Sequence, residues 1–161
     1  MLATPSLLYR YLYPQHLRAG GVRYASAPNS PHRDRRLLLD VYAPPPTRTS
    51  PPSDSSPLLP VLVYIHGGVW TLGDRADYRL MGERFADLGV VFVCPTYSVY
   101  PDGTAADQIE DVDNVLQWTR RNISRFGGDP SSVVLSGQSS GAHIASLCLL
   151  IAPGEGRPGL A

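Results

Sequence analysis

The sequence carries no net charge, its 14 Lys and Arg balancing 14 Asp and Glu. Without an excess of either sign there is no electrostatic reason to expect nucleic acid or an anionic membrane surface as partner. Cysteine is nearly missing. Cys94 and Cys148 each sit inside an apolar run and read as small buried hydrophobes. Two cysteines make no disulfide framework, and a reducing compartment is the default. Missing too is any apolar run of the roughly 20 residues that cross a bilayer. The start, MLATPSLLYRYLYP, is cut by Arg10 and Pro14 and lacks the layout of a signal peptide. No grouping of His, Cys, Asp and Glu has metal-ligand spacing, so neither metal nor cofactor is expected. There is no internal repeat.

What is present fits one globular domain over residues 1–161. Apolar residues make up 43% of the chain, the ordinary range for a packed core. Residues 36–42 read as a strand ended by Pro44. His32, Arg33, Arg35 and Arg36, interrupted by Asp34, read as its solvated flank. Residues 44–60 are dense in Pro, Ser and Thr and read as a mobile surface loop, an insertion in a hairpin between flanking strands. Residues 61–65, 90–94 and 133–137 are apolar runs bounded by Gly and Pro. They read as strands of a parallel sheet covered on both faces.

Helical patterns lie between these runs. Residues 76–88 carry Leu80, Met81, Phe85 and Leu88 at helical spacing. Residues 104–126 place Ile109, Val112, Leu116, Thr119, Ile123 and Phe126 on one face. Acids crowd the start of that segment and arginines its end, which suits the helix dipole, and Gly127–Gly128 is a stop signal. Asn122–Ile123–Ser124 matches a glycosylation sequon but reads as the helix's polar end. Residues 140–151 form a third, apolar helix. Such alternation implies a mostly parallel α/β sheet with helices on both faces.

The sharpest motif is Gly137–Gln138–Ser139–Ser140–Gly141, a G-x-S-x-G between a buried strand and a helix. That context turns a common pattern into a nucleophile elbow, with Ser139 as nucleophile in a strained turn. Side chains in place of the two glycines would collide with the neighbouring strand and helix. His66–Gly67–Gly68–Val69–Trp70 follows the strand at 61–65 and supplies the second half of the site. In this kind of fold that loop provides main-chain donors for an oxyanion hole, here Gly68 and Val69 together with Ser140. Each such donor is worth roughly 3–4 kcal/mol in the transition state. His66 reads as a brace of the loop rather than the general base, because the base histidine comes last in chain order. His143, one turn below Ser139, reads as a packing residue behind the site. His16 and His32 fall in an N-terminal part read as irregular.

HGGVW, FVCPTYSVYPDGTAADQIEDV and NISRFGGDPSSVVLSGQSSGAHIA resemble the isoprenylcysteine α-carbonyl methylesterase-like group of the α/β-hydrolases, near the hormone-sensitive-lipase and kynurenine-formamidase relatives. The resemblance runs from about Leu37 to Ile151. It implies an α/β-hydrolase fold and a carboxylic-ester hydrolase with Ser139 as nucleophile. It assigns Gly67, Gly68, Val69, Gln138 and Ser140 to oxyanion or substrate contacts, with support from His66 and Trp70. It implies a small-molecule or lipidated ester as substrate, and a cytoplasmic or endomembrane-associated setting. The residues after Ser139 run only to Ala161 and hold one acid, Glu155, and one histidine, His143. The triad order Ser, acid, His therefore implies that acid and base lie beyond this chain and that the chain alone is inactive. An inactive binding module and an amidase of the kynurenine-formamidase type remain the alternatives.

Overall fold

Apolar runs at 59–65 and 91–96 pair as neighbouring strands because burying both faces between helices is the way such runs leave water. A computed structural model describes residues 7–12, 14–45 and 57–151. Most of the Pro/Ser-rich segment at 44–60, and the tail after Ile151, lie outside them. In chain order the described elements are α1 (Leu7–Leu12), β1 (Leu17–Arg23), α2 (Pro31–Arg36), β2 (Leu38–Tyr42), β3 (Leu59–Ile65), α3 (Arg79–Asp87), β4 (Val91–Thr96), α4 (Ala105–Asn122), β5 (Gly128–Gly137) and α5 (Ser140–Ile151). A 3-10 turn, Arg75–Tyr78, leads into α3 and another, Ile123–Phe126, prolongs α4.

The strands form one sheet in the order β1-β2-β4-β3-β5. β3 runs parallel to β4 and to β5, while β1–β2 and β2–β4 are antiparallel. The sheet is mixed, and its parallel part carries the motifs. The hairpin expected around residues 44–60 is not there. β4 lies between β2 and β3, with Asp40 opposite Cys94 and Val61 opposite Val91. Consecutive strands pair only about two times in three, and a long connection frees β2 to take the antiparallel side of β4.

The two sheet faces have different partners. Leu39, Val41, Val61, Val63, Ile65, Val91 and Val93 pack with Val112, Val115 and Leu116 of α4 and with Ile144, Ala145 and Cys148 of α5. Tyr42, Tyr64, Phe92 and Cys94 pack on the opposite face with Met81, Phe85 and Ala86 of α3. Both cysteines are buried. β5 is less enclosed than its sequence suggests. It is an edge strand among those described, and Val134 is exposed.

α4 is built as its pattern predicts. Thr104 accepts from the Asp107 amide and Asp107 accepts from the Thr104 amide, a capping box. Gly127 closes the far end at φ 80°, and Asn122 is indeed the last residue of the helix. α3 differs in its buried face. Gly82, Glu83 and Ala86 point inward, and Leu88, beyond the helix end, is exposed. Gly82 is required there, since a Cβ would lie 2.5 Å from the Tyr42 ring.

Residues 14–36 hold a strand and a helix where irregularity was expected. β1 pairs with β2, and β2 starts at Leu38 because residues 31–36 are helical. The arginine cluster is therefore not a solvated strand flank. Arg33 reaches across to α4, where its guanidinium meets Asp111 at 2.8 Å, Glu110 at 2.9 Å and Asp107 at 3.3 Å. Asp111 has no exposure and also accepts from the Ser98 amide at 2.8 Å. His16 pairs with Asp87 of α3 at 2.9 Å. No helix among the described residues is long and apolar enough to cross a membrane.

Candidate active site

β3, β4 and β5 run parallel, so their C-terminal ends share one edge of the sheet, where α/β folds place their sites. His66, Tyr97 and Gln138–Ser139 follow those three ends. Ser139 stands between β5 and α5 at φ 53°, a left-handed conformation unusual for a residue with a side chain. Both motif glycines are sterically required. A Cβ on Gly137 would lie 2.8 Å from the Ala142 nitrogen, and one on Gly141 would lie 2.2 Å from the Ile65 carbonyl oxygen. The turn is strapped to β3 by the Gln138 amide, which donates to the Ile65 carbonyl at 3.2 Å. Ser139 is exposed at the head of α5.

The glycine loop lies against this turn although some seventy residues separate them. A Cβ on Gly67 would be 3.0 Å from the Gln138 carbonyl oxygen and 3.3 Å from Ser139 Cβ. In a trans peptide the C=O and the following N–H point in opposite directions, so pinning one aims the other. The Gly67 carbonyl is pinned by His66 Nδ1 at 2.8 Å. The Gly68 carbonyl is pinned by the amides of Thr71 and Leu72, both at 2.9 Å. These contacts orient the amides of Gly68 and Val69. Among the described residues no backbone carbonyl accepts from the amides of Gly68, Val69 or Ser140. Val69 at φ 47° and Trp70 at φ 63° are left-handed, and Gly68 stands at φ 140°, so the backbone strain of the region is concentrated in the serine turn and in the glycine loop beside it.

His66 is fully buried, and its ring stacks with those of Tyr97 at 4.4 Å and Tyr78 at 6.0 Å. Burial pushes its pKa below the usual histidine value, so the ring is neutral and Nδ1–H donates to the Gly67 carbonyl. The Tyr97 hydroxyl donates to the His66 carbonyl at 2.8 Å, and burial pushes that phenol up to about 12. His66 therefore braces the loop. Tyr78 donates to Gln138 Oε1 at 3.2 Å. His143 is exposed, its ring edge-on to Trp70 at 5.7 Å. Among the described residues the Ser139 hydroxyl makes no hydrogen bond. His16 lies with α3, and His32 is exposed on α2.

Tyr97, Tyr78 and Gly73 belong to the site's framework and escape the sequence reading. Gly73, at φ 103°, lets the chain pass His66 Nδ1, which a Cβ would meet at 2.5 Å. Its position directly before Asp74, which caps the 3-10 turn at Arg75–Tyr78, is the one sequence signal that could have found it. Nothing local marks Tyr97 or Tyr78.

A strained serine turn facing a glycine loop at this edge of an α/β sheet is the arrangement of the α/β-hydrolases. An inhibited esterase B from Lactobacillus rhamnosis superimposes with a TM-score of 0.69 at 28% identity, over 89% of this chain and 44% of that one. The profile of the BD-FAE family matches residues 39–153, and the chain belongs to that family. It is 36% identical over 153 residues to the isoprenylcysteine alpha-carbonyl methylesterase of Arabidopsis thaliana, covering 93% of this chain and 32% of the relative. It is 36% identical over 121 residues to Esterase LipQ of Mycobacterium tuberculosis, covering 73% of this chain and 27% of the relative. The chain thus spans about a third of the length of the curated relatives it matches.

Proposed function

We propose that the chain is the nucleophile-bearing part of a serine carboxylic-ester hydrolase. The observation that carries this reading is the close approach of Gly67 to Ser139, which sets main-chain amides without a backbone acceptor beside a strained serine. Ser139 Oγ attacks the ester carbonyl carbon and passes its proton to a base. The carbonyl oxygen becomes an oxyanion held by the amides of Gly68, Val69 and Ser140, aided by the N-terminus of α5. The C–O bond to the alcohol breaks, the alcohol takes the proton, and water then hydrolyses the acyl-enzyme. The relatives' names point to methyl esters of small or lipidated molecules. Gln138, held by Tyr78, lies next to Ser139 as a substrate contact, and Trp70 supports the loop.

The base and the acid that orients it are supplied from outside the described residues in this reading. The 161-residue chain is then expected to hydrolyse p-nitrophenyl acetate no faster than its Ser139→Ala variant. Strong Ser139-dependent turnover would place a base within it, with His143 the first suspect. In the complete enzyme, Ser139→Ala is expected to abolish turnover. Gly68→Val, whose Cβ would meet the Leu72 carbonyl oxygen, should lower kcat by about 10²–10³-fold, the cost of one lost oxyanion donor. Unchanged rates in either variant would refute the assignment.

A further inference from the structure

The strained loop residues Val69 and Trp70 need neighbours that hold them, because left-handed backbone with a side chain relaxes when nothing opposes it. The Trp70 carbonyl is held twice. The Tyr100 amide donates to it at 2.9 Å, and Gln108 Nε2 donates to it at 3.0 Å. Gln108 comes from the first turn of α4 and is 1% exposed. Since the partner is a carbonyl, only the Nε2 end of the amide can face it. Its Oε1 is buried and meets no protein donor among the described residues. A leucine or methionine would fill the same place without enclosing that oxygen. Packing alone therefore does not account for a glutamine here, whereas a grip on the loop does.

We propose that Gln108 is a positioning residue for the ester-cleaving reaction. By fixing the Trp70 carbonyl it keeps the strained turn closed and the Gly68 and Val69 amides aimed at the developing oxyanion. The inference rests on the hydrolase reading. Gln108 touches no substrate and acts through the loop. Trp70 also meets His143 of α5 edge-on, so the gripped residue lies between α4 and the elbow helix.

The test replaces Gln108 by methionine, which keeps the length and removes the donor. In the complete enzyme, kcat for p-nitrophenyl butyrate is expected to fall about 10- to 100-fold, as when catalytic groups shift by an ångström, with KM held within about threefold. In the 161-residue chain, ¹⁵N order parameters at Gly68 and Val69 are expected to fall in Gln108→Met. An unchanged kcat, a change confined to KM, or unchanged order parameters would each overturn the proposal. Should the variant fail to fold, the wild type decides by itself: one Gln108 Nε2 proton is expected to be protected from solvent exchange, and an unprotected side-chain amide overturns the inference. If the wild-type enzyme shows no Ser139-dependent hydrolysis, it is the hydrolase reading that fails, and the order parameters still decide whether Gln108 holds the loop.

Discussion

Gly141→Ala tests the geometry under Ser139 without needing any activity. The added Cβ would lie 2.2 Å from the Ile65 carbonyl oxygen and 2.3 Å from that of His66, against the 3.4 Å at which ordinary contact begins. α5 would have to move off β3 by more than an ångström, and both obstacles are backbone, at the last residue of an inner strand and the residue after it. Overpacking costs about 1–3 kcal/mol where side chains can yield, and the upper end applies here. Alanine's better helix propensity returns about 1 kcal/mol, leaving a net loss of about 2 kcal/mol or more. For a domain of this size that lowers Tm by about 4–8 °C. Gly127→Ala is the control. Its φ is +80° with nothing within 4 Å of an added Cβ, so its cost of about 1 kcal/mol is purely conformational. Urea and thermal unfolding of both variants should rank Gly141→Ala as the more damaging. Wild-type stability for Gly141→Ala, or the reverse ranking, would refute the close packing of α5 on β3.

Two other outcomes follow from the structure. Asp111→Ala removes an acceptor shared by Arg33 and the Ser98 amide and leaves the buried amide unpaired, while Arg33 keeps Glu110 and Asp107, so unfolding should show a loss of about 1–3 kcal/mol; in a double-mutant cycle, adding Arg33→Met should recover part of it, and strictly additive losses would argue against the pair. His66 has its folded-state pKa pushed down by burial, so the unfolded chain takes up its proton first as pH falls. Its contribution to stability is complete above the ordinary histidine pKa of about 6.5 and is lost as pH falls below that value toward the lowered folded one, by at most about 1.4 kcal/mol per pH unit. Tm measured from pH 7.5 to 5.5 should fall more steeply for the wild type than for His66→Gln, and parallel curves would contradict a buried neutral ring.

Local chemistry was legible in the linear chain because it depends on neighbours in sequence. The serine turn needs glycines two before and two after it, and the structure shows both meeting backbone. The helix over 104–126 announced itself by period and charge, and the glycine stop after it is real. The loop at His66–Gly68 followed from two glycines after a buried run. Longer-range facts were decided by tertiary structure alone. Whether β2 pairs with β3 or with β4 depends on which apolar strand offers an open side, and the composition of β2 is the same either way. Asp111 looked like one acid among several at a helix start until Arg33, 78 residues away, turned out to neutralise it in the interior. Gln108 and Tyr97 carry no local mark, because their work is to hold carbonyls contributed by segments 38 and 31 residues distant. A backbone conformation is written in adjacent residues; the partner of a buried polar group is chosen only once the sheet has brought the segments together.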